Sequence, residues 1–132
     1  MIELIVPLPR STGEARTFRR VIQRGHHFAL PAGDVELFRI GTMARALHRA
    51  RYTIVQWEKL GWISKPSFLV HGCDRETIRF YCAEQVINAN RLLVERYEGR
   101  TRFSNTIGLR DFLRELDREM QVGAQAAREG RK

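Results

Sequence analysis

The sequence predicts a mainly α fold with a small β-hairpin wing, a winged helix-turn-helix followed by a C-terminal amphipathic helix. Three observations lead there. Apolar residues recur at helical spacing in two short adjacent runs, two β-prone runs flank a Gly-containing loop just beyond them, and a long amphipathic stretch closes the chain. At 132 residues, 43% of them hydrophobic, the chain has material for one domain core with short extensions.

Taken in order, Ile2, Leu4, Ile5 and Val6 read as a short strand that Pro7 and Pro9 end. Residues 14–24 read as a short helix with Phe18, Val21 and Ile22 on one side, stopped by Gly25. Pro31-Ala32-Gly33-Asp34 reads as a turn. From Phe38 the pattern strengthens: Ile40, Met43, Ala44 and Leu47 fall at i, i+3, i+4 and i+7, the stripe of an amphipathic helix. After the break His48-Arg49-Ala50, Ile54, Trp57 and Leu60 mark a second helix that Gly61 ends. Its outer positions are Arg51, Tyr52, Gln56 and Lys59. Two short helices across a tight turn, the second polar, basic and aromatic outside, describe a helix-turn-helix.

Residues 67–70 and 76–81 then flank His71-Gly72-Cys73-Asp74 as a hairpin. Val86, Ile87, Ala89, Leu92 and Leu93 give a helix over 83–97, closed by Gly99. Asn105 or Thr106 caps a last helix reaching about Ala127, with the stripe Leu109, Phe112, Leu113, Leu116 and Met120. The expected organisation is a basic N-terminal arm over 1–37, the winged helix-turn-helix over 38–100, and a C-terminal helix over 101–132 for packing or self-association.

Charge points to a partner class. There are 23 Lys+Arg against 15 Asp+Glu, net +8, and all but Lys59, Lys65 and Lys132 of the basic residues are arginine. The excess is +1 over 1–37, +5 over 38–100 and +2 over 101–132. A basic domain whose excess sits on the helix pair has the electrostatic footprint of a nucleic-acid binder, and arginine's planar fork suits phosphate and guanine edges.

Other classes lose support. Cys73 and Cys82 form no CxxC pattern, and His26 and His27 have no acid or cysteine at ligand spacing, so neither a metal site nor a disulfide framework is expected. No His/Asp/Glu/Ser/Cys constellation points to an enzyme, and no cofactor is expected. No apolar run approaches the ~18–20 residues that span a membrane, and MIELIVPLP is too short for a secretory signal. A cytoplasmic, nucleoid-associated protein is the expectation.

The stretch FRIGTMARALHRARYTIVQWEKLGWI resembles the start of MerR-type DNA-binding domains, through Phe38, Ile40, Gly41 and Ala44, then Thr53, Ile54, Trp57, Glu58, Leu60, Gly61 and Ile63. Residues 79–86 (RFYCAEQV) resemble the same family's Arg-x-Tyr-Ser-x-Glu-Gln-Val. The likeness covers about 38–96. It departs in the turn, where His48-Arg49-Ala50 replaces Gly-Val-Ser and removes a helix cap worth ~1 kcal/mol. It departs also at Val55, where an Arg often stands, and at Cys82, in place of a capping Ser.

The resemblance implies duplex DNA as the partner, with Ile40, Ala44, Leu47, Ile54 and Trp57 as core and Glu58 as a local ion-pair or capping residue. Arg51, Tyr52, Gln56 and Lys59 face the DNA, Gln56 suited to adenine and the cations to phosphate or guanine. Arg79 matches the family's wing arginine at the phosphate backbone; Lys65, Arg75 and His71 are further wing candidates. The N-terminal arm either touches DNA or packs on the domain. The leading expectation is a small transcriptional regulator without an effector domain, self-associating through its last helix, with RNA polymerase as a further candidate partner. The alternatives are a phage-type site-marking factor, such as an excisionase or small terminase subunit serving a recombinase or packaging motor, and a protein-interaction module on the transcription machinery.

Overall fold

The computed structural model describes residues 1–7, 18–30, 33–64, 68–71, 77–99 and 106–129. The chain opens with strands. β1 (Ile2–Pro7) pairs antiparallel with β2 (Phe18–Gln23), and β3 (His26–Leu30) pairs antiparallel with β4 (Gly33–Arg39). α1 (Ile40–Ala46) leaves β4 without a gap and α2 (Arg51–Lys59) follows. β5 (Phe68–His71) and β6 (Thr77–Cys82) then pair with each other, and α3 (Ala83–Arg91) runs into a π-helical segment, Leu92–Arg96. α4 (Thr106–Glu129) is the last element among the described residues.

The winged helix-turn-helix layout is therefore corrected to an α+β architecture. Among the described residues four strands precede the first helix, and β6 pairs with β4 as well as β5, giving a four-stranded sheet in the order β3-β4-β6-β5. The hairpin expected to stand free as a wing is thus one edge of a larger sheet. Side-chain alternation explains why. Val35, Leu37, Phe80 and Cys82 share one face of β4 and β6, with Phe28 against them, while Phe38 and Tyr81 on the other face enter the main core. Strands buried on both faces at their centre form sheet interiors rather than exposed ribbons. The expected boundary between residues 37 and 38 falls inside β4.

Residues 18–23 are a strand, not the expected helix. Phe18, Val21 and Ile22 fit a helical stripe on paper, but backbone pairing to β1, from Ile2↔Gln23 to Pro7↔Phe18, decides the conformation. Residues 14–17 of that expected helix lie outside the described residues. In β1, Ile2, Leu4 and Val6 alternate into the main core, joining Met43, Leu47, Ile54, Trp57, Val86 and Leu93. The segment expected as an arm thus supplies core.

Phe112, Leu113, Leu116 and Met120 of α4 are buried in that same core, and Leu109 packs against it. The stripe expected to serve self-association is used within the chain. Gly123 lets α4 come close: a Cβ there would lie 2.8 Å from Gln85 N and 2.9 Å from Glu84 C. Gln85 crosses the same seam, its Nε2 donating to Met120 O at 3.2 Å while its Oε1 accepts from Cys82 N at 3.1 Å. That second bond closes the start of α3 where Cys82 stands in the capping position.

One buried amide joins three elements. Asn90 Oδ1 accepts from Ile5 N at 2.9 Å, and its Nδ2 donates to Ile5 O at 3.0 Å and Ala46 O at 2.8 Å. It completes β1 as a neighbouring strand would and satisfies a carbonyl at the end of α1.

Candidate nucleic-acid interface

α2 starts without a side-chain cap, since Ala50 occupies the capping position, and its first turn is closed by Thr53 N donating to Ala50 O at 3.1 Å. What holds the helix is burial of Ile54 and Trp57. Leu60, counted with these at the sequence level, is exposed beyond the helix end, and Gly61 at φ +76° turns the chain away. Opposite the buried side, Tyr52, Val55, Gln56 and Lys59 fall at i, i+3, i+4 and i+7 and form the solvent face, with Arg51 exposed at its start. Tyr52 is 71% exposed. Four expected site residues, Arg51, Tyr52, Gln56 and Lys59, are thereby brought onto one stretch of surface.

The single acid of α2 is withdrawn from that surface. Glu58 is 6% exposed, and Arg79 of β6 grips both its oxygens, Nε to Oε2 at 2.7 Å and Nη2 to Oε1 at 3.2 Å. The bonded carboxylate holds the Arg79 guanidinium above its ordinary range, desolvation opposing it. Arg79, expected at the phosphate backbone, serves as the counterion of a nearly buried carboxylate. Its side chain is 28% exposed.

The turn between α1 and α2 shows how the chain manages without glycine. His48 takes φ +56°, a strained conformation for a side-chain-bearing residue. Its ring sits 2.7 Å (Nε2) from Ile5 O and 3.5 Å (Nδ1) from Gly99 O and stacks on Phe18 at 6.0 Å between centroids. Arg49 donates from Nη1 to Leu47 O at 2.8 Å, with its guanidinium 5.3 Å from the Trp57 ring centroid and 5.2 Å from that of Phe112. Tertiary contacts to β1, α2 and α4 replace the local turn chemistry.

Lys65 and Arg75 lie outside the described residues. His71 is the last residue of β5. His27 is 3.4 Å from Glu36, and His26 borders a basic concavity that the sequence reading did not single out. That concavity, of about 470 Å³, is lined by Arg24, Arg39, Arg45 and Arg51 among others. Arg45 also borders a second concavity, of about 530 Å³, with Arg19 and Arg49. A sequence signal existed for part of this: Thr42 and Arg45 sit at i, i+3 on the polar side of the α1 stripe, with Arg39 just ahead. Arg24 arrives only through the strand pairing.

Burial pushes the Cys82 thiol up to about 11 and raises the Tyr81 phenol as well, so both stay protonated and passive at neutral pH. Among the described residues no group of three His, Cys, Asp or Glu side chains is placed to hold a metal ion, and no helix is long and apolar enough to cross a membrane. Comparison of the chain with protein-family models, with curated proteins and with solved structures returns no match.

Proposed function

We propose that the protein binds duplex DNA sequence-specifically, with the solvent face of α2 reading base edges, and acts as a small regulator. The observation that carries the reading is the state of that face. Arg51, Tyr52 and Lys59 are exposed and Gln56 is half-buried on the same face, while the helix's one carboxylate is tied down by Arg79. A helix with two cations, an amide and a phenol outward, and its negative charge removed inward, suits a major groove lined by phosphates and base acceptors. The likeness of residues 38–96 to MerR-type domains supports the same partner and the regulatory role.

Gln56 is the residue placed to discriminate, since its amide both donates and accepts and so matches adenine, a choice worth ~1–3 kcal/mol against a wrong base. The test is selection of bound fragments from a random duplex pool by the purified protein and by Gln56→Ala. The expected outcome is an enriched site for the native chain and relaxed preference at one or two positions for the variant. An identical enriched site from both proteins would remove α2 from the reading role.

A further inference from the structure

The basic concavity beside α2 has a composition that the α2 face does not explain. Arg24 comes from the link between β2 and β3, Arg39 from the end of β4, Arg45 from α1 and Arg51 from the start of α2. All four are exposed, and none has an acidic partner among the described residues. Some arginines elsewhere are paired, Arg20 with Glu3, Arg79 with Glu58 and Arg96 with Glu115, and what sets these four apart is that they line one hollow together. Four like charges gathered at one hollow repel one another, and a multiply charged anion seated among them relieves that repulsion.

We propose that this concavity is a phosphoryl-binding site that takes two or more closely spaced phosphate groups. Guanidinium forks match phosphate oxygens in pairs, and Gln23 and Thr42 on the rim add neutral hydrogen-bonding groups. The size, about 470 Å³, lies within the range of small-ligand sites, ~300–1,000 Å³. Two sources present such phosphates: neighbouring positions along the duplex backbone, or the chain of a free nucleoside polyphosphate. Because Arg51 belongs both to the concavity and to α2, a duplex on α2 lies beside the hollow, and in that case the proposal deepens the DNA reading. The nucleotide case stands without it.

The experiment uses the full chain, the Arg39→Ala/Arg45→Ala double variant, an Arg39→Lys/Arg45→Lys variant that keeps charge but not the fork, and Arg118→Ala as a charge control on α4. Pyrophosphate and ATP are titrated by NMR, and a short duplex is titrated by anisotropy over a range of salt. If the duplex backbone fills the hollow, the double Ala variant makes the log affinity–log salt slope shallower by about 2, and Arg118→Ala leaves it near native. If a free nucleotide fills it, the native chain binds pyrophosphate or ATP and the double Ala variant loses at least tenfold, with the duplex slope unchanged. In either case the Lys variant falls between in affinity, while its salt slope, set by the charge it keeps, stays near native. A double Ala variant indistinguishable from Arg118→Ala with every probe overturns the proposal. Nucleotide binding without any duplex binding would sink the DNA reading and leave this site standing.

Discussion

Arg45 and Arg49 are four residues apart, yet the structure gives them opposite employment. Arg49 lies over Trp57 and Phe112 and bonds the carbonyl of Leu47, fastening the turn to α2 and α4. Arg45 points into open concavities on both of its sides. The same contrast separates Arg79, gripped by Glu58, from Arg51, exposed at the start of α2. Net charge counts all of these alike. What divides structural from recognition arginines is the group against the guanidinium: a ring, a carbonyl or a carboxylate in the first set, solvent in the second.

That division can be broken or sharpened by substitution. The largest stability effect is expected from Arg79→Ala, which leaves the nearly buried Glu58 carboxylate unpaired and costs about 2 kcal/mol in urea unfolding. Base preference in the selected duplex site should survive it. If Arg79→Ala kept full stability yet abolished DNA binding, Arg79 would move to the recognition set. Arg49→Ala should cost about 1 kcal/mol through the lost ring contacts, seen as a modest fall in Tm. The smallest stability change, within about 0.5 kcal/mol, is expected for Arg45→Ala, an exposed and unpaired position. A fall of several kcal/mol there would mean that Arg45 is structural after all.

The helices were legible in the sequence because each buries a stripe at 3.6-residue spacing: Met43, Ala44 and Leu47 in one, Ile54 and Trp57 in the next, Phe112, Leu113, Leu116 and Met120 in the last. The sheet was not legible. β2 carries apolar residues at positions that fit either period, and its pairing with β1 crosses residues 8–17. β4 hides its alternation because it shows only Val35-Glu36-Leu37 before Phe38, on the opposite face, enters the main core and breaks the two-residue period. Missing β4 made β5 and β6 look like a free wing.

The candidate site was legible in the same uneven way. Arg51, Tyr52, Gln56 and Lys59 follow from helical geometry once Ile54 and Trp57 face inward. Glu58 and Arg79 were each singled out, one as an ion-pair residue and one as a phosphate contact, but 21 residues of chain separate them and only the fold shows that each is the other's partner. The loss of glycine and serine from the inter-helix turn reads as a defect until His48 is seen lodged between Ile5, Gly99 and Phe18. Arg24 sits in the link between β2 and β3 and Arg39 at the end of β4, and no spacing rule brings them to one hollow.

The central claim is that the open face of α2 meets duplex DNA through charge and base contacts. Its most direct test is duplex affinity between about 50 and 200 mM salt for the native chain and for the Arg51→Ala/Lys59→Ala variant. The account predicts a steep loss of native affinity as salt rises, and a slope shallower by about 2 in the variant, as release of two fewer counterions requires. Affinity that stays flat across that range in the native chain, or a variant whose slope equals the native one, would contradict it.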